Sequence, residues 1–261
     1  MNEKMYEHCA ELCKALKLPV LLRVSMELDE DPETDKLDKL EYLCLLLEKE
    51  LEERLIKRTQ RRIRMAQFPK IKTIDSFDFE RCPHIPQTKI KKLLECEYIG
   101  LAEPIIFLGE PGTGKTHMAT ALGYAAAEMG FSVKFVSASK LANELIEAKD
   151  GFHLNQIIAR YRRVQLLILD ELGYLPLRKT DAELIFQVLS DRHELFPVII
   201  TTNLPFSEWT SVFTDKRLCR ALIDRITHRA HIIETGLESV RLQETLSKKK
   251  RKKATKDKQD A

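Results

Sequence analysis

Two apolar patterns divide this chain. Between residues 37 and 66, Leu37, Leu40, Cys44, Leu47, Leu51 and Leu55 recur at steps of three or four. That is the spacing of one helix face, so one long amphipathic helix is predicted there. A shorter helix is predicted over 3–17, and "ELDEDPETDK" reads as an acidic turn. Pro69 should end the long helix. From about residue 71 short apolar runs alternate with helical stretches. "IIFLG" (105–109), "VKFVS" (133–137), "LLILD" (166–170), "VIITT" (198–202) and "AHIIE" (230–234) are the expected strands. Such runs show little polar alternation, as strands buried on both faces of a parallel sheet do. The expected class is α/β, a parallel sheet flanked by helices. The expected organisation is a small all-helical N-terminal domain over 1–69, a main domain over 70–247, and a basic disordered tail over 248–261.

Composition narrows this picture only a little. With 261 residues and 44% hydrophobic content, the chain has room for one full domain and a smaller appendage. A net charge of +3 is modest, but the basic residues are clustered. The six cysteines (Cys9, Cys13, Cys44, Cys82, Cys96, Cys219) form no CxxC pair and read as reduced thiols. His8, Cys9 and Cys13 lie close in sequence, yet no second ligand pair has usable spacing, so a metal site is not expected there. Neither a signal peptide nor a membrane-length apolar run is present, and a cytoplasmic protein that does not enter membranes is expected.

The chemistry concentrates in "GEPGTGKTH", residues 109–117. Gly109, Gly114, Lys115 and Thr116 fit G-x-x-x-x-G-K-[ST], between an apolar strand and a good helix. Gly112 and Gly114 let the backbone curl so that N–H groups point at phosphate oxygens, and the helix N-terminus adds its dipole. Lys115 should reach the β- and γ-phosphates, and the Thr116 hydroxyl should bind Mg2+. The candidate cofactor site therefore comprises Gly109, Glu110, Pro111, Gly112, Thr113, Gly114, Lys115, Thr116 and His117. "LLILDE" places Asp170 and Glu171 at the C-terminal end of a buried strand, where open α/β sheets bind ligands. Asp170 should hold the Mg2+ shell, and Glu171 should polarise the attacking water or act as general base. Asn203 ends "VIITTN" and can orient that water or sense the γ-phosphate. In "CRALIDRITHRAH", Arg217 lies just upstream of Arg220, Arg225 and Arg229, and one of the four could act as a finger on a neighbour's phosphate. Arg241 follows the last strand and could touch phosphate from within the subunit.

These elements together resemble an AAA+ ATPase. More narrowly, "GTGKTHMATALG", "LLILDELGYLPL", "IFQVLSDRHE", "IITTNLPFSEW" and "ALIDRITHRAHII" resemble the IstB-type helper ATPases of insertion sequences, relatives of helicase-loader and initiator ATPases. The likeness runs from about residue 60 to residue 245. It implies a sheet in which the Asp-Glu strand is not directly beside the phosphate-loop strand. It implies ATP and Mg2+ as cofactors, and a homo-oligomer around DNA with ATP at subunit interfaces. Arg225 best matches the family's finger, and an extra helix is implied at "GFHLNQIIARYRRVQ". Such proteins bind and bend duplex DNA and recruit the element's transposase. Two departures stand out. The family's "G-[ED]-S-[YF]-R" is here "GLESVR", one residue longer. Its Arg-Tyr-Glu is here Arg192-His193-Glu194, which reads as a change of packing. Only about a dozen residues separate the last strand from the tail, so a truncated or absent lid is expected.

A DNA-binding ATPase needs a phosphate-neutralising surface. The candidates are Arg54, Lys57, Arg58, Arg61 and Arg62 on the long helix, Arg160, Arg162 and Arg163 in "ARYRRVQ", and the tail from Lys248 to Lys253. None has base-reading spacing, so salt-sensitive binding of weak sequence preference is expected. Tyr174 and Lys179 are candidates for coupling hydrolysis to the DNA grip. The leading expectation is a DNA-dependent ATPase that assembles on duplex target DNA and delivers it to a transposase. The alternatives are a replicative helicase loader acting on single-stranded DNA, a non-hydrolysing nucleotide-dependent adaptor and a small-molecule kinase. Glu171 and Asn203 argue against the adaptor, and the lack of an acceptor lid argues against the kinase.

Overall fold

The computed structural model describes residues 3–28, 34–174, 179–213 and 215–236. The expectations for the lid, the basic tail and Arg241 fall outside them, as does the side chain of Lys179. The chain divides into two compact units, Met1–Arg61 and Arg62–Ala261.

In the first unit, helices α1 (Glu3–Ala15) and α2 (Leu21–Leu28) precede the long α3 (Lys39–Ala66), whose last turn belongs to the second unit. The predicted long helix is present, with α2 as an addition. Asp38 caps α3: its Oδ1 accepts from the Leu40 and Glu41 N–H groups at 2.7 and 2.8 Å, while Glu41 reaches back to the Asp38 N–H. This is a reciprocal capping box with Asp in the first position. The leucine stripe does not form a core. Leu40, Leu47, Leu51 and Leu55 are 68%, 45%, 56% and 51% exposed. The buried apolar cluster is Val20, Val24 and Leu46, with Leu21, Leu28 and Tyr42 packed around it. Glu50 is buried beside them, because its Oε2 accepts from the backbone N–H groups of Val20 (2.8 Å) and Leu21 (3.1 Å). It thereby caps the start of α2 from another helix, where an anion suits the helix dipole.

The second unit continues with α4 (Gln87–Leu93) and α5 (Glu97–Gly100). Alternating elements follow: β1 (Ile105–Leu108), α6 (Lys115–Glu128), β2 (Val133–Ser137), α7 (Ala138–Asp150), α8 (Leu154–Arg163), β3 (Leu166–Leu172), α9 (Lys179–Ser190), β4 (Val198–Thr202), α10 (Lys216–Thr227) and β5 (His231–Glu234). All five expected strands are present. They pair in parallel in the order β2-β3-β4-β1-β5. The Asp-Glu strand β3 is thus separated from the phosphate-loop strand β1 by β4, as the resemblance implied. Ile105, Ile106, Phe107, Leu166, Leu167, Ile168, Leu169, Ile199 and Ile200 are fully enclosed. Each such side chain contributes about 1.5–3 kcal/mol relative to exposure.

Two apolar layers sandwich the sheet. One joins α7, α8, α9 and α10 to it through Leu141, Leu145, Ile185 and Leu222. The other joins α4, α5 and α6 through Ile90, Ile99, Met118 and Leu122. On this second face α6 approaches so closely that a Cβ at Gly123 would lie 2.4 Å from Ile168 Cδ1. Arg192 is buried as well, with its guanidinium donating to the carbonyls of Tyr161 (2.6 Å), Val164 (2.7 Å) and Pro197 (3.0 Å). It ties the end of α8 to the start of β4. Burial lowers its pKa to about 10, because desolvation penalises the charged form.

Candidate functional site

The site lies at the C-terminal edge of the sheet, where β1, β3, β4 and β5 end together. The loop after β1 passes through Gly109, Gly112 and Gly114 at φ +154°, +89° and +96°. These angles need glycine. Space adds a second reason at Gly114, where a Cβ would lie 2.8 Å from the Phe77 ring. The loop is braced from β4 and β5. Gly109 N–H donates to the Thr202 carbonyl (3.2 Å) and Glu110 N–H to the Gly236 carbonyl (3.2 Å). The hydroxyls of Thr113 and Thr235 lie 2.6 Å apart. Lys115, the first residue of α6, folds over the loop and donates from Nζ to the carbonyls of Gly109 (2.6 Å) and Glu110 (2.8 Å).

Thr116 and Asp170 meet, with Thr116 Oγ1 donating to the Asp170 carboxylate at 3.0 Å. A shift in the β3–β4 ladder explains how Asp170 and Glu171 separate. Leu169 pairs with Ile200 and Leu172 with Thr202, so two residues of β3 face Thr201 alone. Glu171 takes φ +60° in this bulge. Asp170 is thereby kept buried and Glu171 is turned out to solvent, the re-aiming that bulges beside sites provide. Thr201 holds both: its hydroxyl donates to Asp170 Oδ1 at 2.5 Å and accepts from the Glu171 N–H at 2.9 Å. Asn203 is half-buried just past the end of β4.

A cavity of about 320 Å³ opens beside the loop. Gly112, Gly114, Lys115, Thr116 and His117 form one wall, and Lys72, Ser76, Phe77, Asp78, Arg81 and Cys82 the other. His117 Nε2 lies 3.0 Å from the Thr73 carbonyl and 3.3 Å from Ser76 Oγ, with its ring edge-on to Phe77. Burial pushes its pKa below the ordinary histidine range. The second wall went unnoticed in the sequence, where "TIDSFDFE" reads only as a connection. Thr201 and Thr235 were missed too. The doubled Thr in "VIITTN" was the available sign for Thr201, whereas nothing local marks Phe77 as the neighbour of a glycine 37 positions away (114 − 77).

The residues fit a bound nucleoside triphosphate and a hard cation. The loop has no room for a side chain at Gly109 or Gly114, which suits close backbone approach to phosphate. One hydroxyl and one carboxylate at 3.0 Å make a hard-oxygen pair of the kind Mg2+ accepts while keeping several waters.

Residues 11–248 match the family described as IstB-like ATP binding protein. The chain belongs to that family. It is 36% identical over 240 residues to the ATP-binding protein of insertion sequence IS5376 from Geobacillus stearothermophilus, covering 92% of this chain and 96% of that one. Among solved structures, AMPPCP-bound DnaA from Aquifex aeolicus aligns with a TM-score of 0.56 at 24% identity, over 70% of this chain and 56% of DnaA. The chain therefore spans little more than half of that DnaA chain. The DnaC helicase loader aligns with a TM-score of 0.50 at 25% identity, over 57% of this chain and 86% of the loader. This IstB-like protein is thus an ATP-binding P-loop ATPase of the AAA+ fold.

Other expected site residues of this IstB-like chain are dispersed. Arg217 and Arg220 are exposed on α10, while Arg229 follows its end. Arg225 is half-buried near that end, with its guanidinium 5.3 Å over the Phe186 ring. The end of α10 leads into the start of β5, so Arg225 lies at the sheet edge opposite its own phosphate loop. Arg54 is tied to Glu50 (2.8 Å) and to the Lys17 carbonyl, and Lys57 to Glu53 (2.6 Å). Arg58 and Arg61 remain exposed on α3. Arg160 pairs with Glu144, whereas Arg162 and Arg163 are exposed at the end of α8. Arg62 and Arg160 share the wall of one cavity of about 330 Å³ with Met65, Gln67 and Lys134. Tyr174 is exposed just after β3. Among the described residues no helix is long and apolar enough to cross a membrane.

Proposed function

We propose that this chain is a DNA-dependent ATPase that assembles on duplex target DNA when ATP is bound and delivers that DNA to the transposase of its element. The observation that carries the ATPase part is the bulge that keeps Asp170 against Thr116 and turns Glu171 outward. Lys115 exchanges its two carbonyl acceptors for the β- and γ-phosphate oxygens. Thr116 and Asp170 would hold Mg2+, which would supply positive charge to offset that of the phosphates. Glu171 takes the proton from, or polarises, the water that attacks the γ-phosphorus as the bond to the β-phosphate oxygen breaks and ADP leaves, and Asn203 orients that water. Loop backbone from Gly109 to Gly114 cradles the phosphates, and His117 and Phe77 bound the cavity beside them. Arg225 lies at the far sheet edge of its own subunit, so its use at a phosphate requires a neighbour's site. That makes the finger a homo-oligomer device. Arg241 keeps the proposed role of touching phosphate within the subunit.

The insertion-sequence relatives support target DNA and a transposase as the partners. In the N-terminal domain proposed for residues 1–69, the exposed leucine face of α3 runs on into Arg58, which supports a role in DNA or partner contact. Arg58, Arg61, Arg62, Arg162 and Arg163 are the main proposed DNA contacts. Arg54, Lys57 and Arg160 sit within ion pairs that DNA phosphates would have to replace. Tyr174 and Lys179 keep the proposed coupling role. The deciding experiment uses Glu171→Gln protein with duplex and single-stranded DNA, with and without ATP, read by gel shift and electron microscopy. ATP-dependent multi-subunit assembly on duplex DNA is expected. Binding confined to single strands would move the reading to a helicase loader.

A further inference from the structure

His193, Glu194 and His228 come together at the sheet edge opposite the nucleotide site. One potential ligand atom from each lies within 4.8 Å of the other two. His193 and Glu194 are consecutive in the turn after α9, and His228 caps the end of α10. Both turns are set by the main chain: His193 N–H donates to the Ser190 carbonyl (3.2 Å) and His228 N–H to the Asp224 carbonyl (3.1 Å). The buried Arg192 anchors the first turn from beneath. The two imidazoles sit 6.0 Å apart at an interplanar angle of 50°, too tilted for stacking. Among the described residues none of the three side chains has a hydrogen-bond partner. The donor set is therefore available for another use.

We propose that His193, Glu194 and His228 form a Zn2+ site, separate from the nucleotide and its Mg2+. Two imidazoles and one carboxylate suit a borderline-soft divalent ion far better than Mg2+, which prefers oxygen ligands. Tetrahedral zinc with bonds of about 2.0–2.1 Å needs its ligand atoms about 3.4 Å apart. Closing from 4.8 Å needs only side-chain rotation, because two of the three residues are exposed and the third is half-buried. All three residues line a cavity of about 190 Å³ bounded in part by Leu101, Phe196 and Ile226, with room for a water as the fourth ligand. Three arginines lie around the cluster and oppose a cation, but each has its own partner. Arg192 is held by three carbonyls, Arg225 lies over Phe186, and Arg229 pairs with Glu103. The bound ion joins the turn before β4 to the end of α10, three residues past Arg225. It would thus fix the helix end that carries the proposed finger.

The test uses the full chain, stripped with a chelator and free of nucleotide, titrated with Zn2+ by calorimetry and with Co2+ by absorption spectroscopy. We expect one ion per chain with a dissociation constant below about 10 µM. Visible Co2+ d–d bands should appear without the near-UV charge-transfer band of a thiolate. His228→Gln and Glu194→Gln should each weaken binding more than the ~10–100-fold typical of losing an outer-shell partner. Both residues are exposed, so neither change threatens the fold. Cys9→Ser/Cys13→Ser should leave the affinity unchanged. The proposal is overturned if no ion binds, or if the Cys9/Cys13 variant abolishes binding while His228→Gln does not.

Discussion

The two units of this chain handle apolar residues in opposite ways. In the unit from Arg62 onward, the uninterrupted runs "IIF" and "LLIL" are enclosed on both sides by helices. In the unit up to Arg61, the leucine stripe of α3 is exposed, and a small cluster around Val20, Val24 and Leu46 is the core. A strand without polar alternation needs cover on both faces, so once these runs are strands their burial follows from their composition. A helical stripe states only that one face of a helix is apolar. It does not state what that face meets. Even the first unit's buried acid follows this logic, because Glu50 is placed by two orphan N–H groups of α2 rather than by any pattern within α3.

Mutations should affect the two units to very different degrees. The largest effect is expected at the nucleotide site. Glu171→Gln should lower ATP turnover by about 10²–10⁴-fold while the exposed side chain leaves folding unchanged, as measured by steady-state phosphate release and a urea melt. Retained turnover would remove Glu171 from the chemistry. Next is Arg192→Met, which abandons three buried carbonyls and should cost about 2–5 kcal/mol in denaturant unfolding of the α/β unit. Within the helical unit, Leu46→Ala should cost about 2–4 kcal/mol, and Glu50→Gln about 1–3 kcal/mol through the weakened cap and the loss of a charged partner for Arg54. Smallest of all, Leu51→Ser should change stability by no more than about 0.5 kcal/mol. If Leu51→Ser proves as costly as Leu46→Ala in the isolated full chain, the stripe is covered after all and the contrast between the units fails.

Much of the candidate site was legible before any fold. Gly109 to Thr116 are contiguous, and their work is local, since a glycine turn and a helix start are properties of a few successive residues. Asp170 and Glu171 were legible as a pair at a strand end. The geometry that buries one and exposes the other was not, because it depends on the bulge opposite Thr201. Phe77, Thr201 and Thr235 escaped notice for the same reason. They touch the loop across sequence separations that no periodic pattern records. Arg54 and Arg160 looked like free cations until Glu50 and Glu144 were found beside them.

The amino-acid sequence by itself determined the five strands, the phosphate loop and the acidic strand end. Each rests on short-range chemistry: short apolar runs that form strands, glycines that take positive φ at little steric cost, and a lysine at a helix start. The tertiary structure decided which apolar face is core and which carboxylate is sheltered. It also decided that Arg225 lies at the sheet edge opposite its own phosphate loop and that His193 meets His228. Those outcomes depend on pairings between distant segments, where packing and the satisfaction of buried polar groups choose among many arrangements that the local pattern allows equally.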